Sequence, residues 1–200
     1  NEVRITAQLI KAGDGTHMWT ESYNREIKGV FAVQEEIATA IAGSLRVPLG
    51  LKQGDTLVSN RTGDTESYQD YLRAKALVRA RGIKPITDAT KLLEQVVARD
   101  PGYAPAWALL SLAYAVTPNY HPAWLSGSVA ETRQIVEATI PKAEAAAQRA
   151  IQLDPKNADG YVTLGIVQAQ RGKMLAAEEL YSKALALDPN NAEALNVYSI

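Results

Sequence analysis

Between Ala158 and Asn191 the chain follows a spacing that few folds can satisfy. Counted from Ala158, Tyr161, Leu164 and Gly165 fall at the fourth, seventh and eighth positions, and Ala177, Tyr181, Ala184 and Pro189 at the twentieth, twenty-fourth, twenty-seventh and thirty-second. Residues three and four apart share one face of a helix, so Tyr161, Leu164 and Gln168 line one side of a first helix. Gly165 sits on that side and, having no side chain, lets a second helix approach closely. Ala177 and Ala184 serve the same end from the facing helix, while Tyr181 fills the gap between them. Pro189 cannot continue a helix and fixes the corner into whatever follows. The pattern therefore reads as helix, turn, helix, corner.

The bulk numbers leave that reading free and remove several others. The chain of 200 residues is 46% hydrophobic and 22% charged with a net charge of -1, which is the profile of an ordinary soluble domain without an electrostatic footprint for nucleic acid or an anionic membrane. Cysteine is absent, which excludes disulfides and thiolate chemistry without identifying a compartment. No apolar run approaches the roughly 20 residues that span a bilayer, and no signal peptide opens the chain. Asn1 runs straight into an alternating strand and Ile200 stops inside what reads as another first helix, with Leu195 in its aromatic slot. The expectation is a piece of a longer protein.

The seven matched positions resemble the tetratricopeptide repeat, a helical hairpin with a period of about 34 residues. The resemblance implies a mainly α fold, a right-handed superhelix of helix-turn-helix units that acts as a binding scaffold and not as an enzyme. Three further segments fit less regularly. Residues 67–101 form a first, atypical repeat: Ala89, Leu93 and Val96 fill the slots of its second helix before Pro101, Tyr68, Tyr71, Leu72 and Val78 belong to its first, and a long loop is expected around Gly82 to Pro85. Residues 104–155 begin with Trp107, Leu110, Ser111 and Tyr114 and end with Ala143, Ala147, Ala150 and Pro155, but carry an insertion of about 20 residues between the two helices. In that insertion Pro118, Pro122 and Gly127 point to irregular chain, Ser128 with Glu131 reads as a capping box, and Pro141 either opens the next helix or kinks a longer one. Residues 192–200 start a fourth, truncated repeat.

Ahead of this array, Val3, Ile5, Ala7 and Leu9 alternate with Arg4, Thr6 and Gln8 as in a half-buried strand, and Ala12 to Thr16 supply a turn. A second strand is expected over 17–25, with Trp19 and Tyr23 on one face. A helix is expected over 30–46, where Val33, Ile37, Ile41 and Leu45 make one apolar stripe ended by Pro48 and Gly50. Residues 1–46 resemble the closing half of a small, partial α/β domain like the amino-terminal domain of TolB and its FlgO-type relatives, which precedes such repeats in bacterial adenylate cyclases and CadC-like regulators. Residues 47–66 read as a linker.

Catalysis and metal binding find no support in these residues. His17 and His121 lie in unrelated elements and lack partners at ligand spacing. Gly13-Asp14-Gly15 is a hairpin turn and not a phosphate loop, and Asn60-Arg61-Thr62 matches a glycosylation pattern by chance. No cofactor is expected. In the family, the first helices line a concave groove through positions 2, 5, 9, 12 and 13. Carried over, these include Ala108, Leu112, Ala115 and Val116 in the second repeat, beside Pro105, and Asp159, Val162, Ile166, Ala169 and Gln170 in the third. Such a groove is mainly apolar and suits a protein or peptide partner with an apolar helix or extended segment; lysine and asparagine of a carboxylate clamp are missing. Tyr120, Trp124 and Leu125 are expected either to fold back over Leu112 and Ile166 as a plug or to form an extra contact arm. The function implied is a protein-protein interaction scaffold in the regulatory part of a larger bacterial signalling protein; the alternative is a small-molecule sensory domain of a transcriptional regulator or nucleotide cyclase. No direct membrane contact is expected from these residues, and the compartment, cytoplasmic or periplasmic, depends on sequence upstream.

Overall fold

A computed structural model of the chain describes residues 2–10, 15–26, 37 and 62–198. It divides into two compact units, Asn1–Val58 and Ser59–Ile200. In the first, β1 (Glu2–Ile10) and β2 (His17–Glu26) pair antiparallel, with Ile5 opposite Tyr23 and Leu9 opposite Trp19. The alternation along β1 is visible in burial: Ile5 and Ala7 are half-buried, whereas Arg4, Thr6 and Gln8 are exposed. Tyr23 is buried and its hydroxyl donates to Glu21 Oε2 at 2.8 Å. Gly15 adopts φ +70° in the connection, a conformation that glycine enters without steric cost. The expected helix over 30–46, apart from Ile37, and the linker up to residue 61 lie outside the described residues; Ile37 itself is helical and half-buried.

The described part of the second unit is built of helices and the turns between them. Its helices are α1 (Thr65–Ala80), α2 (Ile83–Arg99), α3 (Ala104–Tyr120), α4 (Pro122–Ser126), α5 (Val129–Leu153), α6 (Ala158–Gln170), α7 (Met174–Leu187) and α8 (Ala192–Tyr198). The fold is thus mainly α, with a two-stranded antiparallel sheet ahead of the helices in the sequence. Helices α1 and α2, α3 and α5, and α6 and α7 form antiparallel hairpins, and α8 packs on α6 and α7. One corner recurs after each hairpin: Asp100, Asp154 and Asp188 each precede a proline, and proline pushes the residue before it out of the helical region. Their backbone N–H groups still reach the carbonyls of Val96, Ala150 and Ala184, at 2.8, 2.9 and 2.8 Å. Their carboxylates accept from the N–H of Gly102, Lys156 and Asn190, and their carbonyls accept from Tyr103, Asn157 and Asn191. Asp64, Asn157 and Asn191 then cap α1, α6 and α8 by accepting from the N–H of Ser67, Gly160 and Ala194.

Three expectations for the irregular parts are corrected. The connection around Gly82 is shorter than usual, only Arg81 and Gly82, because Pro85 lies in the first turn of α2, where its missing N–H has no partner to lose. The insertion is mostly helical: α3 continues past Pro118 to Tyr120, α4 takes Pro122–Ser126, and Gly127 in the left-handed region (φ 74°) turns the chain into α5. Pro141 lies inside the 25-residue α5, so the longer helix forms, and Ser128 is its N-cap without a side-chain capping bond.

The largest core cluster joins the first two hairpins, with Leu93, Val96, Ala74 and Ala106 fully buried and Tyr71 meeting Tyr103 edge-on at 5.2 Å between ring centroids. Arg99 clips α2 to α1 through Asp70 and Glu66, both at 3.2 Å. Ser111 Oγ donates to the Ala143 carbonyl at 2.7 Å and thereby joins α3 to α5 inside the core. Burial pushes the Tyr71 phenol up to about 12, with the Asp159 charge next, and raises Tyr103 in the same direction for the same first cause. These folded values lie above the unfolded value of 10.0, so the stability they contribute is complete below that pH and is lost as pH rises through the folded values. Melting temperature is therefore expected to hold to about pH 9 and to fall steeply between about 10 and 12, in step with tyrosinate absorbance. A flat profile through pH 12 would contradict the burial of these phenols.

Candidate functional site

The first helix of each hairpin presents one face to a common groove of about 550 Å³. Helix α1 contributes Tyr71, Lys75, Val78 and Arg79; α3 contributes Ala108, Leu109, Leu112, Val116, Asn119 and Tyr120; α6 contributes Asp159, Val162 and Thr163; and α8 contributes Ala192, Glu193 and Asn196. Spacings of three and four residues within each set follow from helical geometry. The groove runs obliquely: it uses α1 from Tyr71 onward and α3 from Ala108 to its end, but only the first turns of α6 and α8. Ala108 and Val162 are buried in its floor, and Leu112 and Val116 are half-buried above them.

Of the residues expected at this face, Ala108, Leu112, Val116, Asp159 and Val162 come together in the groove. Ala115, Ile166, Ala169 and Gln170 are not among its lining residues. Ala115 is fully buried with Ile140, Ala143 and Val167, and Ile166 packs against two core clusters. Gln170 Nε2 donates to the Ala115 carbonyl at 2.9 Å, while neighbouring Arg171 and Gln168 hold Glu144 of α5 at 2.7 and 3.2 Å. The end of α6 is thus engaged by the α3–α5 hairpin. Tyr120 lines the groove, whereas Trp124 is 57% exposed and does not. Of the expected plug or contact arm, Tyr120 thus stands in the groove with Leu112, while α4 carries Trp124 toward solvent. The side chain of Leu125 lies outside the described residues.

Of the charged walls sequence reading placed only Asp159, and the expectation of a mainly apolar groove is corrected to an apolar floor between charged sides. Lys75, Arg79 and Arg81 stand on the α1 side, and Asp159, Asp188 and Glu193 on the side of α6 and α8. The positional rule would have found Lys75 and Arg79 had the register of α1 been fixed, since Ala74 is buried in α1 as Ser111 is in α3. Lys75 Nζ lies 5.8 Å from the Tyr71 ring centroid. Asp159 Oδ1 accepts from Asn191 Nδ2 at 2.7 Å, which fixes the carboxylate at the groove edge. Among the described residues no group of three or more His, Asp or Glu is placed to hold a metal ion, and no helix is long and apolar enough to cross a membrane.

Residues 140–192 match the family model of the tetratricopeptide repeat. A protein of Rhizobium meliloti (strain 1021) named "Putative adenylate cyclase 3" is 30% identical over 178 residues, which is 89% of this chain and 29% of that protein. The chain thus spans less than a third of the length of this relative. Among solved structures it is similar to the first tetratricopeptide domain of the human RPAP3 protein, at 17% identity and TM-score 0.49, covering 66% of this chain and 85% of that one. It is also similar to the Yersinia enterocolitica type III secretion translocator chaperone SycD, at 14% identity and TM-score 0.49, covering 68% and 86%.

Proposed function

We propose that this tetratricopeptide-repeat chain is a docking scaffold whose groove receives a segment of a partner protein, as the regulatory portion of a larger bacterial signalling protein. The observation that carries the docking reading is the convergence of four first helices on one groove with a partly exposed apolar floor, Leu112 and Val116 above Ala108 and Val162. A groove of this kind buries an apolar helix face or an extended apolar segment of a partner. The signalling context is supported by the similarity to the protein named as a cyclase, which extends over most of this chain. No catalytic step is assigned to these residues; in this reading the α/β-like first unit and the array belong to the regulatory part, with residues 67–101, 104–155, 158–191 and 192–200 as successive repeats.

The test is selection of peptides from a displayed random library on the immobilised chain, followed by affinity measurement on a Leu112→Glu variant. A carboxylate on the floor has no partner for its charge once a peptide covers it. Selected peptides are expected to bind the original chain and to lose at least about tenfold in affinity on the variant, whose helix content and melting are checked by circular dichroism. Peptides that bind both proteins equally would place docking elsewhere.

A further inference from the structure

We infer that the occupant of the groove is a dipolar peptide segment: acidic at the end that meets Lys75, Arg79 and Arg81, apolar in the middle, and basic at the end that meets Asp159, Asp188 and Glu193. The inference rests on the docking reading and adds the chemistry of the partner.

The segregation of opposite charges onto different helices lining the groove is the first support. Lys75 lies in the middle of α1, Arg79 in its last turn and Arg81 at its cap, whereas the three carboxylates lie at the beginnings of α6 and α8 and the corner between α7 and α8. Arg79 and Arg81 make no ion pair with any described residue, in contrast to Arg73, Lys84, Arg99 and Arg171, which each hold a carboxylate. Helix dipoles favour cations in a last turn and anions in a first turn, which accounts for Arg79, Asp159 and Glu193 taken singly. They do not account for Lys75 in the middle of α1, for Arg81 beyond its end, or for the meeting of all six in one groove.

Arg81 is the second and independent support. It has φ 55° and ψ 171°, and it is the sole non-glycine residue with positive φ among the described residues. That region is strained for any residue with a Cβ, and the two-residue turn would form more easily with glycine there. Gly82, next to it, has φ 95° and shows that glycine is used where the backbone alone decides. An arginine kept at a strained position, lining the groove and without an ion pair to any described residue, is explained by what it binds.

The experiment uses three end-capped peptides, EELVLKK, EELVLEE and KKLVLKK, titrated at low salt into the full chain and into Arg79→Glu/Arg81→Glu, Arg81→Gly and Leu112→Glu variants. EELVLKK is expected to bind tightest to the original chain. The double reversal is expected to weaken it about tenfold and to make KKLVLKK the preferred peptide, both effects shrinking with added salt. Arg81→Gly is expected to raise the melting temperature by about 2–4 °C while weakening EELVLKK. If all three peptides bind alike and are lost on Leu112→Glu, the groove docks peptides without reading their charge and the inference fails alone. Failure of EELVLKK to bind while library-selected peptides still lose affinity on Leu112→Glu has the same meaning. Binding of all three that survives Leu112→Glu removes the docking reading as well. A lower melting temperature for Arg81→Gly would overturn the strain argument.

Discussion

Replacing Leu93 by alanine is expected to cost about 3 kcal/mol of stability, read as a shift of the urea midpoint at unchanged slope. Leu93 lies on the inner face of α2, is fully buried, and packs in the cluster built from α1, α2 and α3. Removing its three outer carbons leaves a space whose lining resists collapse, because the Tyr71 and Tyr103 rings are held against each other and Arg99 ties the two helices together at Asp70. The cost is then the lost transfer of the methyl groups plus the cavity term. Leu175 provides the control, being 79% exposed at the start of α7, and Leu175→Ala should stay within about 0.5 kcal/mol. Repeat arrays lose stability locally, so Trp107, half-buried against the same cluster with its Nε1 donating to the Pro101 carbonyl, should report the transition early. A loss below about 1 kcal/mol for Leu93→Ala would mean that the cluster is loosely packed.

Gly165→Ala is expected to destabilise by about 2 kcal/mol, although alanine is the better helix former by about 1 kcal/mol. A Cβ at this position would stand 2.4 Å from Tyr181 Cε1 and 2.7 Å from Cδ1. The ring cannot step aside cheaply, since Tyr181 is buried between the small faces of Ala177 and Ala184 on α7. Either the ring leaves its rotamer or α6 and α7 separate, and each outcome loses more than helix propensity returns. A double-mutant cycle with Tyr181→Ala separates the two terms: on that background Gly165→Ala should become neutral or stabilising. A neutral Gly165→Ala in the original chain would show that α6 and α7 do not approach as described.

That close approach was legible because it depends only on spacing within one hairpin. A glycine and an aromatic sixteen residues apart, each flanked by small or apolar residues at helical intervals, have one arrangement in which both are accommodated. The mainly α fold and the β1–β2 hairpin were legible for the same kind of reason, periods of 3.6 and 2 read over a few turns. The insertion was less so: proline argues against a helix interior, yet α5 runs through Pro141 and α3 through Pro118. The walls of the groove were the least legible part. Ala115, Ile166 and Gln170 share helices with lining residues but are drawn away from the groove by the α3–α5 hairpin, and which turns of α6 face the groove depends on that packing. Lys75 and Arg79 depended on the register of α1, and Arg81 on a backbone conformation that no residue type announces.

The docking groove is the centre of this account, and amide chemical shifts test it most directly. The full chain, isotope-labelled and assigned over the helical unit, would be titrated with a library-selected peptide. The largest shifts are expected on α1, α3, α6 and α8, around Lys75, Leu112, Val116, Val162 and Glu193. Shifts concentrated on the second helices α2, α5 and α7, or on α4 around Trp124, with the groove residues unmoved, would contradict the docking reading.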